Sequence, residues 1–179
     1  MPEPEMARSS AQDATSLHRG ADAAVFLATF GPWLHTHGLT AALAQLNRRT
    51  RFRFSGLYRV VPPRLHNVSL FDRENPSLNL SGTVCGLSDT YCSIVSDTGQ
   101  PFRVRDAMAD PRLRAHPARE SVQSYVGVPV RLPGGGVLGT LCHYDGRPRL
   151  LPAGELAVMH AVAPLLAPWL ASASAMPER

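Results

Sequence analysis

Two apolar runs, residues 125–132 (YVGVPVRL) and 137–145 (VLGTLCHYD), constrain the fold of this chain more than anything else in it. They are joined by Pro133-Gly134-Gly135-Gly136, a turn, because glycine supplies the positive φ angles that a tight reversal needs. Apolar side chains fall on both faces of each run. That pattern belongs to strands inside a sheet that is covered on both sides. Gly127 and Gly139 leave positions without a side chain, where another backbone or a ligand can come close.

A second hairpin precedes the first: residues 52–60 and 65–71 flank a Val-Pro-Pro-Arg turn. Phe52, Phe54, Leu57 and Val60 do not alternate strictly, which predicts a bulge near Ser55 and Gly56. Between the hairpins the sequence predicts a short helix within 83–95 and a strand over 101–106. Residues 106–124, rich in Asp, Pro and Arg, are expected to be irregular with one helical turn before Tyr125. Helices flank all of this. In residues 21–50 Val25, Phe26, Phe30 and Trp33, then Leu39, Ala42, Leu43 and Leu46, recur at helical spacing. Gly31-Pro32 and His37-Gly38 interrupt the run, so two helical pieces rather than one are expected, with Thr40 available as a cap of the second. Residues 152–173 form a last helix with Leu156, Met159, Val162, Leu166 and Trp169 on its apolar side, kinked or shortened by Pro164 and Pro168. The order of elements predicts an α+β fold: an antiparallel sheet of five to six strands with helices on both faces. The terminal helices are placed on one face, and segments 82–98 and 106–124 on the other. One domain is expected over 21–172, between a disordered leader (1–20) and tail (173–179).

Several classes of function are disfavoured. No apolar run approaches the roughly eighteen residues of a membrane span, and the N-terminus lacks a signal peptide's basic and apolar regions. A cytoplasmic protein without a membrane partner is expected. All 18 basic residues are arginine and the net charge is +4, but the arginines are scattered, so no nucleic-acid partner is expected. The densest group, Arg48, Arg49, Arg51 and Arg53, suits a helix C-terminus followed by a half-exposed strand. Cys85, Cys92 and Cys142 form no Cys-x-x-Cys pair, and buried free thiols are their expected state. His35 and His37 lie at a helix break, and His143 faces away from Cys142, so no metal site is assigned. The three glycines of the turn are followed by no Lys-Ser/Thr of a phosphate loop, and no nucleophile-elbow, His-Glu-x-x-His or paired-carboxylate pattern occurs. No catalytic residue is assigned.

The stretches TYCSIV, GQPFRVRDAMADPRL, SYVGVPVRL, GVLGTLCHYD and RPRLL resemble, in order and spacing, the second half of bacterial GAF domains. More narrowly, they resemble those found beside histidine kinases and diguanylate cyclases. The Asp-Pro-Arg and Gly-Thr-Leu-Cys motifs together are specific. The resemblance implies a fold rather than a reaction. GAF domains hold small molecules such as cyclic nucleotides, bilins or haem between the sheet and its covering segments, and many are ligandless dimerisation or scaffold modules.

On this resemblance the ligand-binding candidates are Cys92, Asp106, Arg119, Glu120, Tyr125, Gly127, Gly139 and Cys142, with no cofactor identified. Each has a plainer role. Asp106 can cap the turn that follows it, and Arg119 can pair with Glu120 at the surface. Tyr125 can pack with its hydroxyl bonded, and Cys92 and Cys142 can be small core side chains. Arg112 and Arg114 are expected to be solvated loop charges. Free methionine-sulfoxide reductases are also GAF domains, and their nucleophilic cysteine lies in the segment equivalent to 107–124. That segment holds no cysteine here, although Cys85 in GTVCG resembles another of that family's cysteines. The phytochrome attachment position corresponds to Glu120, which offers no thiol. The expected function is a non-enzymatic small-molecule sensor or regulator acting in trans on a protein partner. A ligandless dimerisation or interaction module is the alternative, and a thiol reductase a further one. No output domain is expected on the chain, and the prolines make a long parallel coiled coil the wrong form for any homodimer.

Overall fold

Side chains of the central hairpin are shared between two cores, one on each face of the sheet. The computed structural model describes residues 23–172; the leader and tail expected at 1–20 and 173–179 lie outside the described residues. β1 (Phe54–Val61) and β2 (Arg64–Asp72) form the first hairpin. β3 (Val84–Gly86) and β4 (Phe102–Val104) are short, and β5 (Ser124–Arg131) and β6 (Val137–Asp145) form the second hairpin. The six strands pair antiparallel in the order β3-β2-β1-β6-β5-β4. The two edges are thus the two shortest strands, which limits stray pairing with other chains. The bulge falls between Leu57 and Tyr58 in the β1–β2 pairing, just past its expected place.

Three helices cover one face: α1 (described over 23–37), α2 (Leu39–Arg48) and α4 (Glu155–Ser172). Leu57, Val126, Val128, Val130 and Leu141 meet Phe30, Leu34, Leu43, Met159, Val162 and Leu166 there. Each such fully buried side chain stabilises the fold by about 1.5–3 kcal/mol. Residues 23–48 form the two helical pieces expected, but the division is not at Gly31-Pro32, and the last helix is not ended by its prolines. α1 runs through Gly31-Pro32, and α4 through Pro164 and Pro168. These three prolines are exposed, so the carbonyls they deprive of a donor stay open to water. The break at Gly38 is real, with φ at 82°. α4 is also 18 residues of mean hydropathy 1.3, long and apolar enough to cross a membrane by length and composition alone. Its inner face nevertheless belongs to the core, with Val158, Met159, Val162, Leu166 and Leu170 buried on the sheet.

The opposite face is covered by α3 (Cys92–Thr98) and by residues 105–123. The helix expected within 83–95 is largely replaced by β3 and a 3-10 turn, Leu87–Asp89. The single turn expected before Tyr125 becomes two, Pro111–Leu113 and Pro117–Arg119. Each begins with proline, preceded by a side chain that caps it: Asp110 accepts from the Arg112 amide and His116 from the Ala118 amide.

A buried polar chain ties the helices to the sheet. Asn47 Nδ2 donates to Ser55 Oγ (2.8 Å), and Ser55 Oγ lies 2.6 Å from His143 Nδ1. His143 Nε2 stands 3.9 Å from Glu155 Oε1, too far for a hydrogen bond, and the other carboxylate oxygen accepts from Arg49 Nε at 2.8 Å. Arg73 donates to the Asn47 and Thr50 carbonyls at the end of α2, and Arg53 grips Asp72. Much of the arginine cluster is therefore internal bracing. Burial lowers the His143 pKa from 6.5 to about 3. The unfolded chain takes up a proton below about pH 6.5 that the folded chain refuses until about pH 3, so stability falls with pH across that window. About 1.3 kcal/mol is expected to be lost between pH 7 and pH 5.5. Calorimetry should show that loss and its disappearance in His143→Gln; an unchanged slope in the variant would assign it elsewhere.

Candidate functional site

Opposite the terminal helices, the centre of the sheet forms a floor with a thiol in its middle. Gly56 of β1 and Gly127 of β5 are the cross-strand neighbours of Cys142 on β6. The floor is bare on either side of the thiol, and two tyrosine rings fill it. A Cβ on Gly56 would come within 2.4 Å of the Tyr58 ring, and one on Gly127 within 2.1 Å of the Tyr125 hydroxyl. Each tyrosine folds over the glycine two residues away on its own strand face. Tyr58 and Tyr144 join hydroxyls at 2.9 Å. Gly127 therefore lies in the site, beneath a ring. Gly139 does not: it faces α4, where its Cβ would meet the Tyr58 carbonyl oxygen at 2.2 Å and Leu170 at 2.6 Å.

α3 lowers Cys92 onto this floor. Thr140 Oγ1 donates to Cys92 Sγ at 3.1 Å, and the Tyr125 hydroxyl lies 3.4 Å from the same sulfur. Hydrogen bonds from the Cys142 thiol and from Thr140, Tyr125 and Thr90 draw the Cys92 thiol below the usual range, against the pull of burial. Burial, reinforced by Cys92, pushes Cys142 well above it. Cys92 is thus a hydrogen-bonded thiol, a feature that sequence alone did not reveal. Both sulfurs are shut away, with Cys92 3% and Cys142 1% exposed, while Cys85 stands exposed on β3. A thiol reagent is expected to take one equivalent per native chain, at Cys85, and the other two only on unfolding. Burial raises the Cys85 pKa, so that first reaction should quicken as pH rises above the usual thiol range. Fast native labelling of Cys92 would show a more open site.

Over the floor lies an aromatic layer. The Tyr91 ring packs against His116 (4.6 Å between centroids), Tyr125 (5.5 Å) and Phe102 (5.9 Å). Tyr91 is only 2% exposed, yet its hydroxyl has no hydrogen-bond partner among the described residues. Burial pushes this phenol's pKa up, with Arg119 pulling it down and Asp110 adding to the rise. Both charged residues belong to the 105–123 cover.

The Asp-Pro-Arg motif fastens that cover. Asp110 accepts from the Arg112 amide at 3.0 Å and from its guanidinium. The same guanidinium reaches the Arg103 carbonyl of β4 and lies 5.1 Å over the Phe102 ring. Arg112 is thus the solvated loop charge expected, its side chain 60% exposed, and it also acts as a clasp. Asp106 accepts from the amides of Met108 and Ala109, the turn-capping role. Arg119 donates to the carbonyls of Ala107 (3.1 Å) and Met108 (2.6 Å), and Glu120 is exposed. His35 bonds the Gly31 carbonyl and His37 stacks on Trp33. Of the candidates from sequence, Cys92, Tyr125, Gly127 and Cys142 converge. Asp106, Arg119 and Glu120 belong to the cover, and Gly139 to the opposite face. Tyr58, Tyr91, Thr140 and Tyr144 were missed. The Gly-x-Tyr and Tyr-x-Gly spacings were the available signal for Tyr58.

A family model for the GAF domain matches residues 7–168. No curated protein matches the sequence. Among solved structures, the GAF domain of the Acinetobacter phosphoenolpyruvate-protein phosphotransferase is 15% identical, with a TM-score of 0.65 over 86% of this chain and 95% of that one. The free methionine-R-sulfoxide reductase of Neisseria meningitidis is 18% identical (TM-score 0.61, 86% and 92% covered). The type II reductase of Thermoplasma acidophilum is 20% identical (TM-score 0.58, 74% and 89% covered). At these identities the likeness is one of fold.

Proposed function

Because the chain belongs to the GAF domain family, we infer that it is a regulatory module that takes a small molecule between the Gly56–Cys142–Gly127 floor and the 105–123 cover. A protein partner reads the resulting change in the cover. The observation that carries this reading is the buried hydroxyl of Tyr91, which has no hydrogen-bond partner among the described residues. Such an orphan costs about 1–3 kcal/mol, and a ligand that supplies a hydrogen-bond acceptor there would recover it. The fitting ligand is small and partly planar, able to lie among aromatic rings once Tyr58 or Tyr125 swings off its glycine. Its acceptor faces Tyr91, within the influence of Arg119.

Ligand binding should slow amide hydrogen exchange over 105–123 more than in β5 and β6. Without ligand, Arg112→Ala should release the clasp and speed exchange over the same residues several-fold. Exchange in Arg112→Ala that matches the unmutated protein would show that the clasp does not control the cover.

A thiol reductase remains the second reading, favoured by the exposed Cys85. Against it, residues 107–124 supply no cysteine, and thiol catalysis needs an accessible nucleophile with a resolving partner in reach. Methionine-sulfoxide turnover with thioredoxin, lost in Cys85→Ser, would favour the reductase over the regulator.

A further inference from the structure

Cys92 and Cys142 reach the ligand site from different elements, one from the first turn of α3 and the other from the central strand β6. Their sulfurs nevertheless share one neighbourhood. Thr140 and Cys142 stand two residues apart and project from the same face of β6, and Thr140 Oγ1 donates to Cys92 Sγ at 3.1 Å. The Tyr125 hydroxyl, 3.4 Å from Cys92 Sγ, lies over Gly127, the cross-strand neighbour of Cys142. Facing Cβ positions in such a pair are about 4.5–5.5 Å apart, which sets the hydroxyl, and Cys92 Sγ with it, above Cys142. The two thiols also hydrogen-bond each other. Cys85, exposed on the edge strand β3, is outside this group.

We propose that Cys92 and Cys142 are a redox pair, which a hydroperoxide joins into a disulfide that fastens α3 to the floor and closes the ligand site. Cys92 is the more readily ionised of the two, because Cys142, Thr140 and Tyr125 hydrogen-bond it. Its sulfur attacks the peroxide and the O–O bond breaks. Cys92 becomes a sulfenic acid, and the other oxygen leaves as water, or as an alcohol from an organic hydroperoxide. Burial keeps the Cys142 thiol protonated. Its sulfur then attacks the Cys92 sulfur, and the S–S bond forms as the S–O bond breaks. The departing hydroxide takes the Cys142 proton and leaves as water. Two electrons and two protons have passed from the thiols to the peroxide. Hydrogen peroxide is scarcely larger than water, so it enters when the cover opens, although the closed site shuts out a bulky thiol reagent. The pair stands on its own geometry, and its effect on binding rests on the ligand reading above.

Intact mass of the chain carrying Cys85→Ser, exposed natively to hydrogen peroxide and then alkylated in denaturant, tests this. The expected product is lighter by about 2 Da, takes no alkyl group at Cys92 or Cys142, and regains both thiols with dithiothreitol. Adding Cys142→Ser removes the resolving sulfur, so Cys92 should instead gain about 16 or 32 Da as sulfenic or sulfinic acid. If that second chain fails to melt cooperatively, the first decides. Mixed with a small-molecule extract of its own cells, the reduced chain should show an added mass that the oxidised chain lacks. Two free thiols after exposure, or oxygen added to Cys92 with Cys142 left free in the first chain, would overturn the proposal. So would a disulfide that leaves the added mass in place. A disulfide in a chain that takes no added mass even when reduced supports the redox pair and refutes the ligand reading alone.

Discussion

Gly139→Ala is expected to destabilise the fold by about 3 kcal/mol, at the upper end of what overpacking costs. The new methyl would sit 2.2 Å from the Tyr58 carbonyl oxygen and 2.6 Å from Leu170 Cδ1. The oxygen belongs to the backbone of β1 and cannot rotate away, so β1, β6 and α4 must separate. Gly127→Ala makes the instructive contrast. Its methyl meets the tip of the Tyr125 side chain, which can move, though Tyr91 and Phe102 crowd the ring. A smaller loss is expected there, together with altered ligand binding. Thermal and denaturant melts of the two variants check the ordering. Equal losses, or a greater one at Gly127, would show that Gly139 is not the close-approach point between sheet and helix.

Tyr91→Phe should have opposite effects on stability and binding. Removing a buried hydroxyl that has no hydrogen-bond partner among the described residues relieves its desolvation, so the ligand-free protein should gain about 1 kcal/mol, roughly 2–4 °C in melting temperature. Ligand affinity should fall at least about tenfold, because the bond that satisfied that hydroxyl is lost. Tyr125→Phe is the control for a phenol that already has a neighbour in Cys92, and it should gain no stability. A Tyr91→Phe variant that is both less stable and unimpaired in binding would remove the observation on which the functional reading rests.

The sheet was legible because its two hairpins carry their own turns, and alternation across them assigns each side chain to a face. The terminal helices were legible from apolar periodicity, but their prolines misled. Local propensity makes proline a breaker, whereas exposure on the outer face of a long packed helix leaves the lost hydrogen bond to water. Four of the candidate residues converge in the structure, since Tyr125, Gly127 and Cys142 lie on recognisable strands and Cys92 opens a short helix. What stayed hidden depends on contacts between distant segments. Arg112 looks like any loop arginine until Phe102 and Asp110 are placed around it. Gly139 cannot be sent to the helical face without the register of β6. The orphaned hydroxyl of Tyr91 is invisible in any string of residues, because burial without a partner is a property of the whole packing.

The most direct measurement for the ligand reading is native mass spectrometry of the protein mixed with a small-molecule extract of its own cells, beside Tyr91→Phe. The expected result is a stoichiometric added mass of a small molecule on each 19.4 kDa chain, much reduced in the variant. A bare polypeptide mass in both samples would contradict the account and leave the buried face as structural packing.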